Sequence, residues 1–268
     1  MKTILIIMGI FLYTGVIAQP EGKRSSTQSI IKKNNTSTFS IDELNKNIET
    51  NPSDFQSYYN RGIMKSNSKD YNSAIDDFSK SISLNPKFSN AYFNRGNCYA
   101  DLEQFEKALN DYNKSIEINH DEADVFFNRG FVKYKLNKNS EAIIDYDQAL
   151  KLNPQCCTGY YTRGLIKSVN TDYDGAIVDF SKAIEINPEL CNAYYNRGAA
   201  NINLEKYKEA IKDFDKSIKI NPKHKLAFFN RGIAKYNLKD TKNACLDFSR
   251  AKELGYDDPN KLYEEHCK

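Results

Sequence analysis

Arginine and aspartate recur through this 268-residue sequence at a spacing that suits ion pairing. A Gly follows each of six arginines, and an Asp lies 15 positions beyond that Gly in all six copies. Matched side chains of opposite charge are predicted to meet, within one copy or across the junction to the next. A half-buried pair would fix the register of packed helices, and capture of a ligand by the arginines is the alternative. The residues are Arg61, Arg95, Arg129, Arg163, Arg197 and Arg231, with Asp77, Asp111, Asp145, Asp179, Asp213 and Asp247.

The cysteines and histidines could form a disulfide or a metal site. Cys245 and Cys267 are predicted to form a disulfide, because the first lies in the last full helix and the second in a helix expected to pack on it. Cys157 and Cys191 occupy the same position in successive copies, about 10 Å apart, which is too far to bridge. None of the three His has a convincing zinc-ligand spacing, and His266 is a weak metal candidate. A catalytic dyad would occur once, whereas these aspartates recur six times, so the sequence predicts no enzyme, no cofactor and no metal site.

The net charge indicates the class of partner, and the first residues indicate where the protein is located in or outside the cell. The formal net charge is +3, and without a concentrated basic face the sequence argues against nucleic acid as a partner. Lys2 precedes an apolar run from Ile4 to Ala18, which is short for the roughly 20 residues of a membrane span and typical of a cleaved signal peptide, residues 1–18. Residues 19–38 are polar and aperiodic, which predicts a disordered linker. We expect a secreted or periplasmic protein, or a membrane-tethered one if the apolar segment is retained.

The copies follow one another every 34 residues without insertion. In the first copy, Gly62 is followed by Ala74 and Phe78, and the copy approaches its end at Asn85 before a Pro. The Gly indicates a close crossing between a first helix and a second helix, whose apolar positions have helical spacing. Asn is expected to adopt the left-handed conformation that ends a helix, as is Gly255 at the equivalent position of the sixth copy. The pattern therefore predicts an all-α fold of six helix-turn-helix repeats.

These units resemble tetratricopeptide repeats (TPRs). In repeat two the family's aromatic, small, Ala and aromatic positions are Tyr92, Gly96, Ala108 and Tyr112, and Pro terminators such as Pro154 follow the repeats. The resemblance covers residues 53–256, divided into 53–86, 87–120, 121–154, 155–188, 189–222 and 223–256. It implies antiparallel helix pairs that stack into a right-handed superhelical solenoid, with a concave groove lined by the first helices. Residues 39–51 and 257–268 are predicted to form capping helices. The family usually has Leu where this chain has the Arg, and many of its members have an aromatic where it has the Asp.

The resemblance also implies which residues face the groove, namely the second aromatic and the following Asn of each first helix. They are Tyr59, Asn60, Phe93, Asn94, Phe127, Asn128, Tyr161, Tyr195, Asn196, Phe229 and Asn230, with Thr162 in place of one Asn. An Asn amide offers a donor and an acceptor to a peptide backbone. The aromatics would supply apolar contact area, or would only pack neighbouring helices.

Other implied groove positions make a mixed polar and apolar surface: Asn97, Phe131, Leu165, Ser168 and Ile233. Such a surface suits an uncharged peptide or a partner helix. The family subclass that grips the tails of heat-shock chaperones uses Lys and Arg beside Asn, and this chain has only the Asn. We therefore expect a non-enzymatic scaffold that binds a peptide or helix of a partner protein and takes no small-molecule substrate. The alternative, if the N-terminal segment is not cleaved, is a membrane-tethered assembly factor or co-chaperone.

Overall fold

The structure, a computed structural model, describes residues 40–257 and 267. In this part of the chain it has thirteen α-helices and no strand, which confirms the all-α class. The chain divides into two compact units, the first ending at Leu152 and the second beginning at Asn153. The first unit contains α1 (Ile41–Thr50), α2 (Phe55–Asn67), α3 (Tyr71–Leu84), α4 (Ser89–Asp101), α5 (Phe105–Ile118), α6 (Ala123–Lys135) and α7 (Asn139–Leu152). The second contains α8 (Cys157–Val169), α9 (Tyr173–Ile186), α10 (Cys191–Asn203), α11 (Tyr207–Ile220), α12 (Lys225–Asn237) and α13 (Thr241–Glu253).

Both units are built from helix pairs. In the first unit α2 packs on α3, α4 on α5 and α6 on α7, and each second helix packs in turn on the next first helix. In the second unit the pairs are α8 with α9, α10 with α11 and α12 with α13, joined in the same way. Each unit is therefore a solenoid of helix-turn-helix repeats, as expected. The right-handed superhelix and its concave groove stay predictions from the resemblance.

The core of each repeat lies between its two helices. Ala74 and Phe78 on α3 are fully buried, and the equivalent aromatics Tyr112, Tyr146, Phe180 and Phe214 are almost completely buried as well. A methyl group on Gly62 would lie 2.8 Å from Cε1 of Phe78. Because carbon atoms pack at about 3.5–4.0 Å, only Gly lets the first helix approach the ring this closely.

The second helices end differently from our expectation. Asn85, Asn187 and Asn221 have φ angles of −136°, −132° and −125°, which are not left-handed. The prediction of left-handed Asn caps is therefore wrong. A Pro follows each of these three residues and restricts its predecessor to extended backbone. Asn119 has a φ of −141° before His120, so a following Pro is not required for this conformation. Gly255 has no Pro behind it and does adopt a left-handed φ of +79°.

The left-handed residues lie instead in the turn from the first to the second helix. In every repeat this turn has one non-glycine residue with φ between 56° and 68°. In the first repeat it is Lys69, and the next amide, that of Asp70, donates to the carbonyl of Lys65 at 2.9 Å. The six residues are Lys69, Glu103, Asn137, Thr171, Glu205 and Lys239. This strained position was not predicted from the sequence.

The ends of the chain are described only in part. Helix α1 begins after Ser40, whose side chain forms a reciprocal capping box with Glu43, and it buries Leu44. The predicted signal peptide (1–18), linker (19–38) and most of the predicted C-terminal helix (257–268) lie outside the described residues. None of the described helices combines the length and apolar character needed to cross a bilayer.

Candidate partner-binding surface

The six arginines and aspartates form one bidentate pair in each repeat, which we call the Arg–Asp seam. In the first repeat, Arg61 on α2 donates from Nε to Oδ2 of Asp77 at 2.9 Å and from Nη2 to Oδ1 at 2.7 Å. The same two bonds recur in the other five repeats, with Nη2–Oδ1 distances of 2.5–2.7 Å. The aspartates are buried. The hydrogen bond to Asp77 raises the pKa of the Arg61 guanidinium. The pairing is thus within the repeat.

The same arginines also reach across the repeat junction. Nη1 of Arg95 donates to Oγ of Ser79 on α3 at 3.0 Å, and Nη1 of Arg61 donates to Oδ1 of Asn45 on α1 at 2.8 Å. Equivalent bonds join Arg129 to Asn113, Arg197 to Ser181 and Arg231 to Asp215. Each of these guanidinium groups therefore holds three helices together, and α1 serves as the preceding second helix for the first repeat.

A lysine completes the seam in four repeats. Nζ of Lys133 lies 2.9 Å from Oδ2 of Asp145, and Lys65, Lys167 and Lys235 occupy the equivalent place. In repeat five the side-chain amide of Asn201 donates to Asp213 instead. This lysine was not predicted from the sequence, although it lies four residues after the Arg in each of these four repeats. With every aspartate held by two or more donors in these repeats, the seam is a structural contact rather than a reactive site.

The predicted groove asparagines also make contacts between repeats. The Nδ2 of Asn94 donates to the hydroxyl of Tyr59 in the preceding repeat at 3.0 Å. Asn196 does the same to Tyr161 at 3.0 Å, and Asn230 to Tyr195 at 3.1 Å. Burial raises the pKa of Tyr161 to about 12, so the phenol stays protonated at neutral pH. These bonds occupy donors that we had expected to face a peptide.

The pattern changes where Phe replaces Tyr. Phe93 has no hydroxyl, and Nδ2 of Asn128 in the following repeat donates to Oδ1 of Asn97 at 2.8 Å. The hydroxyl of Tyr112 donates to the same oxygen at 2.8 Å. Each Asn thus takes the acceptor that the preceding repeat offers.

Burial divides the predicted groove residues into two groups. Tyr59, Phe93, Asn94, Phe229 and Asn230 are buried, with Asn94 8% and Asn230 4% exposed. These five offer little surface to a partner without repacking of the helices. The half-buried members are Asn60, Phe127, Asn128, Tyr161, Tyr195 and Asn196.

Half-buried side chains one turn further along the first helices offer more accessible surface. They are Asn97, Phe131, Leu165 and Ser168, whereas Ile233 is buried. A polar amide in one repeat and an aromatic ring in the next give a surface that differs between repeats. We call the half-buried members of both sets the first-helix face, taken for each unit by itself. In the first unit they are Asn60, Asn97, Phe127, Asn128 and Phe131, and in the second Tyr161, Leu165, Ser168, Tyr195 and Asn196.

The cysteines fall into different environments. Cys245 is joined to Cys267 by a disulfide with a Cα–Cα distance of 5.4 Å, which ties Cys267 to α13. Cys191 Sγ lies 3.3 Å from Ser217 Oγ and 3.9 Å from Nδ1 of His224. Burial raises the pKa of the Cys191 thiol and lowers that of His224. Both groups are therefore neutral at neutral pH, which does not suit a thiolate nucleophile. In the described part of the chain no three acidic, His or Cys side chains are grouped to hold a metal.

Comparison with known families agrees with this architecture. The model of the tetratricopeptide repeat matches residues 55–88, 89–122, 123–156 and 191–224, just over half of the chain. The chain belongs to the tetratricopeptide repeat family. A second model, described as TPR repeat, matches residues 172–204. The matched TPR units begin at Phe55, two residues after the boundary that we predicted from the sequence.

Solved structures show the same fold. YrrB, described as a TPR protein with an unusual peptide-binding site, is 26% identical, with a TM-score of 0.65 over 70% of this chain and 97% of its own. MamA is 24% identical, with a TM-score of 0.60 over 63% of this chain and 92% of its own. A TPR protein from Parabacteroides merdae is 22% identical, with a TM-score of 0.56 over 84% of this chain and 88% of its own. A comparison with curated proteins finds no match.

Proposed function

We propose that this TPR chain is a non-enzymatic scaffold that binds a peptide or helix of a partner protein along its first-helix face. The observation that supports the proposal most is the repetition of the Arg–Asp seam in all six repeats. Its charged groups form ion pairs and hydrogen bonds that hold helices together, so they are not available for catalysis. What varies between repeats is the half-buried first-helix surface, and a varying surface can distinguish one partner from another.

The TPR neighbours support the class of partner. YrrB, at 26% identity, is described as having a peptide-binding site. A first-helix face with both amides and aromatic rings offers hydrogen bonds and apolar contact area, which peptide recognition combines. We infer that the partner segment is mostly uncharged, because the predicted groove positions in this chain lack a cluster of Lys and Arg.

Photo-cross-linking in intact cells tests the assignment. The cross-linking residue is placed at Asn97 or Phe131 on the first helices, and at Asn110 or Ile144 on the second helices of the same repeats as matched controls. We expect the same partner protein to be captured from both first-helix positions and from neither control, because Asn110 and Ile144 are exposed on the other helix of the repeat. Capture only from the control positions would overturn the assignment.

We also propose that the chain works after export, as the apolar run from Ile4 to Ala18 indicates. If that run is retained, the scaffold is instead a membrane-tethered assembly factor. N-terminal sequencing of the mature protein separates the two, because a cleaved chain is expected to begin at Gln19 and a tethered one at Met1. A cytoplasmic mature protein would exclude both.

A further inference from the structure

The second helix of repeat five presents four lysines on one face. Lys208, Lys212, Lys216 and Lys219 on α11 follow one another at spacings of four, four and three residues, and all four are exposed. Residues three or four apart on a helix lie on one face with about 6 Å between Cβ atoms. At about 1.5 Å per residue, the row is about 17 Å long. We call these four residues the Lys ridge.

The Lys ridge occurs in this repeat alone. At the same four positions the other repeats have net charges between −1 and +1, against +4 here. Repeat four has Asp174, Val178, Lys182 and Glu185 at these positions, and repeat six has Lys242, Leu246, Arg250 and Glu253. A feature that packing of the TPR fold required would recur, as the Arg–Asp seam does. The Lys ridge therefore needs another explanation.

None of the lysines of the Lys ridge takes part in an ion pair within the described part of the chain. Of the three carboxylates of α11, Asp213 pairs with Arg197 and Asp215 with Arg231. Only Glu209 is left to offset the four lysines. Like charges at this spacing repel one another and destabilise a helix. An anionic partner would remove this repulsion.

The neighbouring second helices limit the partner's width. Nζ of Lys206, just before α11, pairs with Oδ1 of Asp174 on α9 at 3.1 Å, so the start of α11 lies within side-chain reach of α9. Glu185 on α9 and Glu253 on α13 occupy the position equivalent to Lys219, so the basic strip is one helix wide. A bilayer with anionic headgroups would also meet these carboxylates, which disfavours it.

The chemistry of the flanks favours protein over nucleic acid. Val178 and Leu246, the equivalents of Lys212 on α9 and α13, are 67% and 62% exposed. No aromatic side chain in the described residues is fully exposed, whereas single-stranded nucleic acid needs aromatic stacking platforms. Exposed aliphatic side chains on both sides of a basic row instead fit an amphipathic helix with acidic residues along its centre.

We propose that the Lys ridge binds an acidic α-helix of a partner protein, on a surface separate from the first-helix face. Glu or Asp residues of that helix, spaced by one turn, meet the ammonium groups of Lys208, Lys212, Lys216 and Lys219. Apolar residues beside them contact Val178 and Leu246. Charge complementarity of this kind sets which partner binds and how fast it associates.

A designed probe tests the proposal with the purified protein. The probe is a labelled helical peptide of roughly 20 residues with Glu at one-turn spacing and Leu on either side, compared with a scrambled peptide of the same composition. Binding is followed by fluorescence anisotropy for the wild type, the triple variant Lys208→Glu, Lys212→Glu and Lys216→Glu, and a matched control, Lys46→Glu, Lys80→Glu and Lys87→Glu. The control removes three exposed lysines of the first unit with the same change in net charge.

We expect the ridge variant to bind the probe at least about tenfold more weakly than wild type, and the control to change by less than about twofold. Added salt should weaken wild-type binding, because exposed charges are screened. Circular dichroism checks that both variants remain folded. Equal losses in the two variants, or equal binding of the scrambled peptide, would overturn the proposal. So would binding of anionic vesicles or oligothymidine through the same lysines in place of the probe. Failure here leaves the first-helix assignment intact, because the cross-linking positions lie on other helices.

Discussion

The Arg–Asp seam and the outer side of the second helices follow opposite rules. The seam repeats the same bidentate contact in six repeats, and its aspartates are buried. On the outer side, the position of Lys212 is occupied by Val178 in the preceding repeat and Leu246 in the next. A contact between helices must have the same geometry in every repeat, whereas an exposed position has no such constraint. The repeated features therefore identify what holds the solenoid, and the features that occur once identify where partners can be distinguished.

The first-helix face lies between these two extremes. Tyr59, Tyr161 and Tyr195 accept a hydrogen bond from the next repeat, whereas Phe93 and Phe127 have no hydroxyl to do so. This face contributes to packing and also changes from repeat to repeat. Substitutions on this face are expected to reduce stability less than substitutions in the seam do. They are expected to change the choice of partner more.

Removal of one seam aspartate should give the largest loss of stability. Asp145→Ala leaves Arg129 and Lys133 without their shared carboxylate in a mostly buried site. We expect the free energy of unfolding to fall by about 3 kcal/mol, measured by urea denaturation. The double variant Arg129→Leu and Asp145→Leu should lose about 1 kcal/mol or less, because no unpaired guanidinium remains and Lys133 still has Glu141 within 3.7 Å. A single variant that loses no more than the double would show that the seam does not act as a buried pair.

Relief of the left-handed turn should raise stability. Glu103 has a φ of 56°, which costs an L-residue about 1 kcal/mol or more. Glu103→Gly is therefore expected to stabilise the protein by roughly 0.5–1 kcal/mol, less the extra entropy of Gly in the unfolded chain. Asn137→Gly is the matched control and should gain less, since Asn tolerates this conformation. Equal thermal midpoints for the wild type and Glu103→Gly would argue that the turn stores no strain.

The helices could be predicted because Gly, Ala and aromatic residues recur with one period, but the seam's geometry could not. Arg61 bonds to Asp77 and to Asn45, which lie 16 residues away in opposite directions. Spacing alone cannot separate a contact within a repeat from one across a junction when the two distances are equal. The left-handed Asn caps were wrong both before Pro, as at Asn85, and before His120, at Asn119. The tolerance of Asn for a left-handed conformation therefore did not decide how the second helices end.

Burial of the candidate groove residues was the least predictable feature. Whether an Asn on a first helix is free depends on whether the preceding repeat offers a Tyr hydroxyl, as Tyr59 does for Asn94. The sequence carries this signal at one of two places. Thr162 replaces the Asn in the repeat after Phe127, which lacks the hydroxyl, whereas Asn128 is kept after Phe93 and donates to Asn97 instead.

The hydrogen bond between repeats leads to an expected effect on stability smaller than that of the seam. Tyr161→Phe removes the acceptor of Asn196 and should lower the free energy of unfolding by about 1 kcal/mol. Adding Asn196→Thr recreates the combination of Phe127 and Thr162 and should recover part of the loss. A double-mutant cycle in urea measures the coupling. Strictly additive effects would mean that the hydrogen bond contributes nothing to packing between repeats.

The smallest effect should come from His224, which occurs at its repeat position only once. Burial lowers its pKa in the folded state, so protonation favours the unfolded chain. The neutral imidazole therefore stabilises the fold fully above the ordinary His pKa of about 6.5, and this stabilisation is lost as the pH falls below it. Urea midpoints at about pH 7.5 and about pH 5.5 should differ more for the wild type than for His224→Gln. Cys191→Ser, which keeps the imidazole, should retain the wild-type difference. The same pH response in His224→Gln and wild type would assign the acid sensitivity to the carboxylates. His224 would then act only through its packing on Tyr195 and its hydrogen bonds with Ser217 and Cys191.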